Sequence, residues 1–440
     1  MTGSPSVSPA RARAIEVLWD VLRHGARAAP LLVARGHDLS PEDQGLMREL
    51  VLGVLRNKAR LDAEIASVSR LPLERLSPRV LQILEVGLYQ IRNLDRVPAY
   101  AAVDQAVWQA RRAAGEGAAR LVNALLRSLQ RRTQPPGALP SSPEGLARET
   151  SHPEFLVRRW LELFGQTATR EILEADNAAS GLDLMANPSK TTREELAAAF
   201  EAEGVHTVPS SVAPNALTVE SGNPIRSPLF AAGHFSVQDV GSQALSLLLP
   251  EGERLVDLAA APGGKTFAAL FAGRARRVVS LDRSASRLRM LVENARRLGV
   301  EGAWPAAGDF LAPPLPAASF DRVLLDAPCS GTGTLRKNPE IRYRVTPEAI
   351  ERLSQMQEQG VEAAARLLAP GGYLLYSTCS LEHEENERVI ERVLGRNLGL
   401  DRAKIDAPEG LRAFVRDDVF RMFPGPDRDG FTAHLLRRRS

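Results

Sequence analysis

Residues 255–266 read Leu255-Val256-Asp257-Leu258-Ala259-Ala260-Ala261-Pro262-Gly263-Gly264-Lys265-Thr266. A compact apolar run gives way to small residues and glycines and then to a helix-length apolar segment, which predicts strand, tight loop and helix in succession. Working outward, Arg277–Leu281, Arg322–Leu325 and Gly372–Tyr376 are further β-rich runs, while Ser284–Leu298 and Pro347–Leu368 have helix length. Alternation of this kind from Ser236 onward predicts an α/β domain with a mostly parallel, doubly wound sheet. Ligands of such sheets bind at the carboxyl ends of the strands.

The loop itself admits two readings. Gly264-Lys265-Thr266 ends like a phosphate-binding loop, and Val323–Asp326 resembles the strand-plus-Asp that accompanies one. That cradle wants glycine where this chain has Ala259, whose Cβ obstructs a tight wrap around a phosphate. Asp282 closes the next strand, where a carboxylate can accept hydrogen bonds from ribose hydroxyls. Loop and carboxylate together favour a nucleoside cofactor over a triphosphate.

The chain has two cysteines, Cys329 and Cys379. One lies in Asp326-Ala327-Pro328-Cys329-Ser330-Gly331-Thr332-Gly333, the other in Tyr376-Ser377-Thr378-Cys379-Ser380, each just past a predicted strand. Both are therefore expected in the crevice that holds the cofactor loop and Asp326. Thiolate attack on carbon 6 of a pyrimidine turns carbon 5 into an enamine able to accept a methyl group from a sulfonium. A carboxyl group such as Asp326 can share the proton that this attack requires, and a second thiol can help expel the product.

Of 440 residues, 44% are hydrophobic and 25% charged, a globular balance that excludes disorder and suggests two or three domains. No apolar run reaches the length of a membrane helix and residues 1–10 lack a signal-peptide layout, so a cytoplasmic protein is expected. Two thiols make a disulfide scaffold unlikely to be the organising device. Residues 1–135 carry 20 Lys and Arg against 13 Asp and Glu, an excess suited to phosphate contacts. Apolar stripes at Ile15-Leu18-Leu22, Val80-Leu84-Leu88-Ile91 and Ala118–Leu129 predict a helical bundle there. Its last third holds Arg92, Arg96, Arg111, Arg112, Arg120, Arg127, Arg131 and Arg132, a candidate RNA surface with a solvated helix face as the alternative. Proline-rich residues 136–150 read as a linker, and 151–235 as a small α+β platform ahead of the 236–440 domain.

The motifs Ala260–Thr266, Asp326–Gly333 and Ser377-Thr378-Cys379-Ser380 resemble those of the RNA cytosine-5 methyltransferases that use S-adenosylmethionine. The helical part, with Gly87-Leu88-Tyr89-Gln90, Arg96–Val103 and Leu121–Arg127, is similar to the NusB domain. The two together are the architecture of the members that modify 16S ribosomal RNA, and the resemblance covers nearly the whole chain. It implies a Rossmann-like methyltransferase domain preceded by an all-α NusB-like bundle and the platform, acting on 16S RNA either free or in a partly assembled small subunit. It further implies Cys379 as nucleophile, Cys329 in product release and Asp326 between methyl donor and base. Ala259, Ala260, Ala261, Pro262, Gly263, Gly264 and Lys265 would form the cofactor loop, with Asp282 on the ribose and Asp309 near the adenine. No metal, no membrane contact and a monomeric state are expected.

Two departures stand out. Relatives often carry cysteine at the position of Ala259, and Met185 in Leu184-Met185-Ala186-Asn187 replaces an arginine, so an RNA contact there is lost or moved. The target base is expected to be flipped, because carbon 6 is shielded in a stack. Leu335–Arg344, with four cations and Tyr343, is a candidate for phosphate contact and stacking, an exposed basic loop being the alternative. His383 reads as a surface residue at a helix start. A phosphate-loop ATPase with a helical RNA-binding adaptor is the second reading of the chain, and a non-catalytic RNA-binding factor the third; both thiols and Asp326 weigh against the latter.

Overall fold

The computed structural model describes residues 8–132 and 140–440 and divides into two compact units. The first comprises the chain through Asn177 together with Asn338–Arg344. Its helices are α1 (Pro9–His24), α2 (Ala28–Gly36), α3 (Pro41–Ala66), α4 (Pro78–Asn93), α5 (Ala99–Gln130), α6 (Pro143–Thr150) and α7 (Glu154–Asn177). Local chemistry sets several of their ends. Ser40 accepts from the Asp43 amide and precedes Pro41 at the start of α3, while Gly25 closes α1 in the left-handed conformation. The predicted stripes face one core of Leu18, Leu50, Leu55, Leu84, Leu88 and Leu126.

Part of the expected linker, 136–139, lies outside the described residues. Its remainder differs from expectation: α6 occupies Pro143–Thr150, because Ser142 caps the helix at the Gly145 amide and Pro143 fits its first turn. Residues 154–177, expected in the platform, form α7 in the helical unit.

The segment Asn338–Arg344 also departs from the sequence reading. The buried Arg342 donates to the carbonyls of Arg56, Thr150 and Asp176 and to Asn177 Oδ1, and the Tyr343 hydroxyl donates to the Leu55 carbonyl. Arg342 is thereby committed to packing rather than presented to phosphates, whereas the Tyr343 ring stays 37% exposed.

The second unit begins with β1 (Leu182–Ala186), α8 (Arg193–Ala202), β2 (His206–Pro209), β3 (Ala216–Ser221), α9 (Pro228–Ala231) and β4 (Phe235–Val237). The strands form an antiparallel sheet in the order β2-β3-β1-β4, and a reciprocal Thr192–Glu195 capping box starts α8. Met185 is buried against Ala260, Phe267 and Leu291, so this position belongs to a core and not to an RNA surface. Asn187 is equally buried and donates to the carbonyls of Gly233 and Leu298.

Then come α10 (Val240–Leu247), β5 (Arg254–Asp257), α11 (Gly264–Phe271), β6 (Arg277–Asp282), α12 (Ala285–Leu298), β7 (Ala303–Ala307), β8 (Phe320–Asp326), α13 (Pro347–Leu367), β9 (Leu368–Thr378) and α14 (Glu387–Gly395). Four further strands follow: β10 (Leu400–Arg402), β11 (Val415–Arg416), β12 (Val419–Met422) and β13 (Phe431–Arg438). The sheet order is β11-β12-β13-β9-β8-β5-β6-β7, with β10 beside β13. Strands β5 to β9 run parallel, whereas β13 lies antiparallel to β9. Val240, Ala244 and Ala269 cover one face; Val361, Ala364, Val389 and Ile390 cover the other. Connections from β5 lead to β6 on one side, and β8 lies on the other, which opens a crevice between them. No helix among the described residues is long and apolar enough to cross a membrane.

Candidate active site

The loop after β5 is built by backbone constraints. Gly263 has φ +109° and would place a Cβ 2.5 Å from the Phe267 ring, so no other residue fits there without displacement. Asp257 anchors the loop from below, accepting from Thr266 Oγ1 at 2.8 Å and from the Ala259 amide at 3.3 Å. Burial pushes its carboxyl up to about 6.

Lys265 does not point freely into the crevice. Its ammonium lies 2.7 Å from Asp326 Oδ2 and donates to Ser242 Oγ at 3.1 Å. Burial opposes the charge, but Asp326, Asp257 and Cys379 together hold the ammonium above its usual range. A lysine engaged in this way differs from the phosphate-gripping residue of the ATPase reading. Asp326 also accepts from Ser377 Oγ at 3.1 Å, across the register pair that joins β8 to β9.

Because β8 and β9 are adjacent and parallel, the segments that follow them leave the sheet side by side. Cys329 Sγ lies 3.3 Å from Cys379 Sγ. The Gly333 amide donates to the Cys379 carbonyl and the Leu381 amide to Thr332 Oγ1, tying the two segments together. A hydrogen bond with Cys379 and burial both raise the Cys329 thiol well above the usual range, so it keeps its proton.

One important residue escaped the sequence reading. Glu385 is fully buried and accepts from the Ser330 amide at 2.8 Å, from the hydroxyls of Ser330 and Ser380, and from Gln357 Nε2 at 3.0 Å. Each serine follows one of the cysteines, so a single carboxylate clamps both segments. Burial raises its carboxyl, opposed by the four donors. Glu382 and Glu385 are both fully buried within the run Glu382–Glu385, and nothing local in the sequence marks the two that turn inward.

The remaining site residues lie along the same strand ends. Asp282 ends β6, where it accepts from the Ser284 amide and sits 3.3 Å from Arg287. Asp309 follows β7, exposed, and accepts from the Leu311 amide. Ala260 and Ala261 are buried and Ala259 half-buried, leaving close backbone approach to the crevice. A row of carboxylates after β6, β7 and β8, beside a glycine loop that opens a helix, suits a nucleoside with hydroxyl, amino and cationic groups; it repels a triphosphate.

Arg336 and Lys337 are not available for the phosphate contacts expected of the segment beyond Gly333. Arg336 is buried against Asp429 at 3.2 Å, and Lys337 sits among Asp183, Asp239 and Asp429 at 2.7, 2.5 and 3.5 Å. His383 pairs with Glu387 at 2.9 Å, and its side chain is partly exposed.

Comparison with known proteins places the chain among related sequences and structures. Residues 244–437 match the family model of the 16S rRNA methyltransferase RsmB/F, 8–131 that of the NusB family, and 152–226 the ferredoxin-like domain of RsmF/B-like methyltransferases. The chain is 37% identical over 367 residues to the probable ribosomal RNA small subunit methyltransferase B of Synechocystis, covering 81% of this chain and 82% of that one. It is 33% identical to the Bacillus subtilis protein of the same description, covering 97% and 98%. The crystal structure of PH0851 is similar at 25% identity with a TM-score of 0.80, covering 100% of each chain.

Proposed function

Because the chain belongs to the family of ribosomal RNA small subunit methyltransferases B, we propose that it methylates carbon 5 of a cytosine in 16S ribosomal RNA through a transient bond between Cys379 and carbon 6. S-adenosylmethionine supplies a methyl group made electrophilic by its sulfonium. Its fit to the crevice rests on the Gly263 loop and on Asp282 and Asp309 at successive strand ends, which would meet the ribose and the adenine.

The Cys379 thiolate forms the sulfur–carbon bond and moves the ring π pair toward carbon 5. The Lys265–Asp326 pair shares a proton with the ring nitrogen during this step. After carbon 5 has gained the methyl group, it loses its proton to solvent water, the double bond re-forms and the sulfur–carbon electron pair returns to Cys379. The Cys329 S–H, 3.3 Å away, donates to the departing sulfur, and the proton on the ring returns to the pair. One proton is released overall.

The separation of the two sulfurs carries this reading. Two thiols within hydrogen-bonding reach, beyond adjacent parallel strands and beside an ion-paired carboxylate, have no structural task that ordinary apolar residues could not perform. Incubation of two variants with 16S RNA and S-adenosylmethionine tests it. Cys329→Ala is expected to accumulate a denaturation-resistant protein–RNA adduct, and Cys379→Ala to form no adduct and transfer no methyl group. Exchanged phenotypes would reverse the roles, and full activity in both variants would end the thiol mechanism.

A further inference from the structure

At the other end of the sheet from the thiols, a cleft of about 490 Å³ is lined by Tyr373, Arg402, Lys404, Arg437 and the Arg439–Asp401 pair, with Arg438 beside them. Strand register brings these residues together: Tyr373 on β9 pairs with Arg437 on β13, and Leu436 on β13 pairs with Arg402 on β10. Tyr373 lies six residues before Cys379, about 20 Å away along an extended strand.

The cations of this cleft differ in their commitments. Arg439 is neutralised by Asp401 at 2.8 Å, and Arg438 donates to the Leu368 carbonyl. Arg402, Lys404 and Arg437 are exposed and have no carboxylate partner among the described residues. Arg437 instead lies 5.6 Å over the Tyr373 ring, which Arg322 also approaches at 5.0 Å. Arg392 and Arg396, exposed on the same unit, by contrast share Glu358. Three unpaired cations around an aromatic ring repel one another, and a polyanion entering the cleft relieves that repulsion.

We propose that the cleft is a second docking site for the RNA backbone, gripping phosphates while another part of the same RNA occupies the thiol crevice. This inference rests on the RNA substrate proposed above. Arg402, Lys404 and Arg437 neutralise phosphates, and the Tyr373 ring offers a surface for a base or ribose. The distance between the sites requires a folded RNA large enough to reach both, so the cleft selects for extended substrate over short oligonucleotides.

The test uses the full chain with Arg402→Glu/Lys404→Glu, its neutral counterpart Arg402→Gln/Lys404→Gln, and Arg437→Gln. RNA affinity is measured against salt concentration, alongside methyl transfer to 16S RNA and binding of S-adenosylmethionine. Charge reversal is expected to weaken RNA binding at least roughly fivefold and to reduce the slope of log affinity against log salt by about 1.5, at ~0.7–0.9 per phosphate contact. The neutral pair should show the same change in slope with a smaller loss of affinity, which keeps the test valid if charge reversal impairs folding. Rate at saturating RNA and cofactor affinity should match the parent protein, and the effect should vanish on fragments too short to span both sites. Unchanged affinity and slope would overturn the proposal. So would unchanged RNA binding accompanied by lost methylation of an assembled particle, which would assign the cleft to a protein. If the parent protein transfers no methyl group to 16S RNA, the proposed function falls, whereas the salt slopes still report on the cleft.

Discussion

Glu385 makes the spacing of the two sulfurs a property of one buried side chain. Removing its carboxylate leaves Ser330, Ser380 and Gln357 without their shared acceptor, in a region where an unmet donor costs about 1–3 kcal/mol. Glu385→Ala is therefore expected to lower the single-turnover methyl-transfer rate roughly 10²-fold, since small displacements of reacting groups have effects of that size. Cofactor affinity, measured by calorimetry, should stay within about twofold, because Glu385 lies on the thiol side of the crevice; a parallel loss of affinity would contradict the assignment. Asp326→Asn removes the carboxylate partner of Lys265. It should abolish adduct formation by Cys329→Ala, read as loss of the retarded band in a denaturing gel.

At the scale of elements, the turn from β5 into α11 and the strand β13 each have a measurable consequence. Gly263→Ala forces a Cβ against Phe267 in a conformation that side chains rarely adopt. A loss of about 1–3 kcal/mol is expected, shared between folding stability and cofactor binding, and checked by thermal unfolding with and without S-adenosylmethionine. On β13, His434 is buried beside Tyr376, and neither ring nitrogen has a hydrogen-bond partner among the described residues. Burial, with Arg402 and Arg421 nearby, depresses its pKa to about 3. The unfolded chain thus takes up this proton first as pH falls below about 6.5, so stability is intact at neutral pH and declines progressively toward pH 3. About 2 kcal/mol should be lost by pH 5, and His434→Phe should remove that part of the decline in denaturant titrations at pH 7.5 and 5.

For the molecule as a whole, the chain's excursion at Asn338–Arg344 is its least local feature. Seven residues that follow the Pro-Cys segment belong to the helical unit rather than to the unit on either side of them in sequence. Arg342→Ala would leave several buried carbonyls without a donor, and a loss of about 3 kcal/mol or more from the helical unit is expected by chemical denaturation. In the basic third of this unit the arginines divide between paired and exposed positions. Arg92 pairs with Glu64 and Arg111 with Glu116, whereas Arg96, Arg120 and Arg131 remain exposed.

By itself the sequence determined those parts of the protein that short-range rules govern. Apolar periodicity located β6, α12 and α13 to within a residue, and glycine and proline marked the β5–α11 loop, because steric limits act over a few neighbours. The motifs around Asp326, Cys329 and Cys379 were legible as strand ends because the alternation of elements marks where strands stop. Tertiary structure alone decided the rest. Charge reads as solvent-facing in a linear pattern, yet Glu385, Arg336, Lys337 and Arg342 are drawn inward, since each finds partners from distant segments that offset its desolvation. The same holds for Met185, whose buried surroundings come from α11 and α12, about 80 to 110 residues further along the chain.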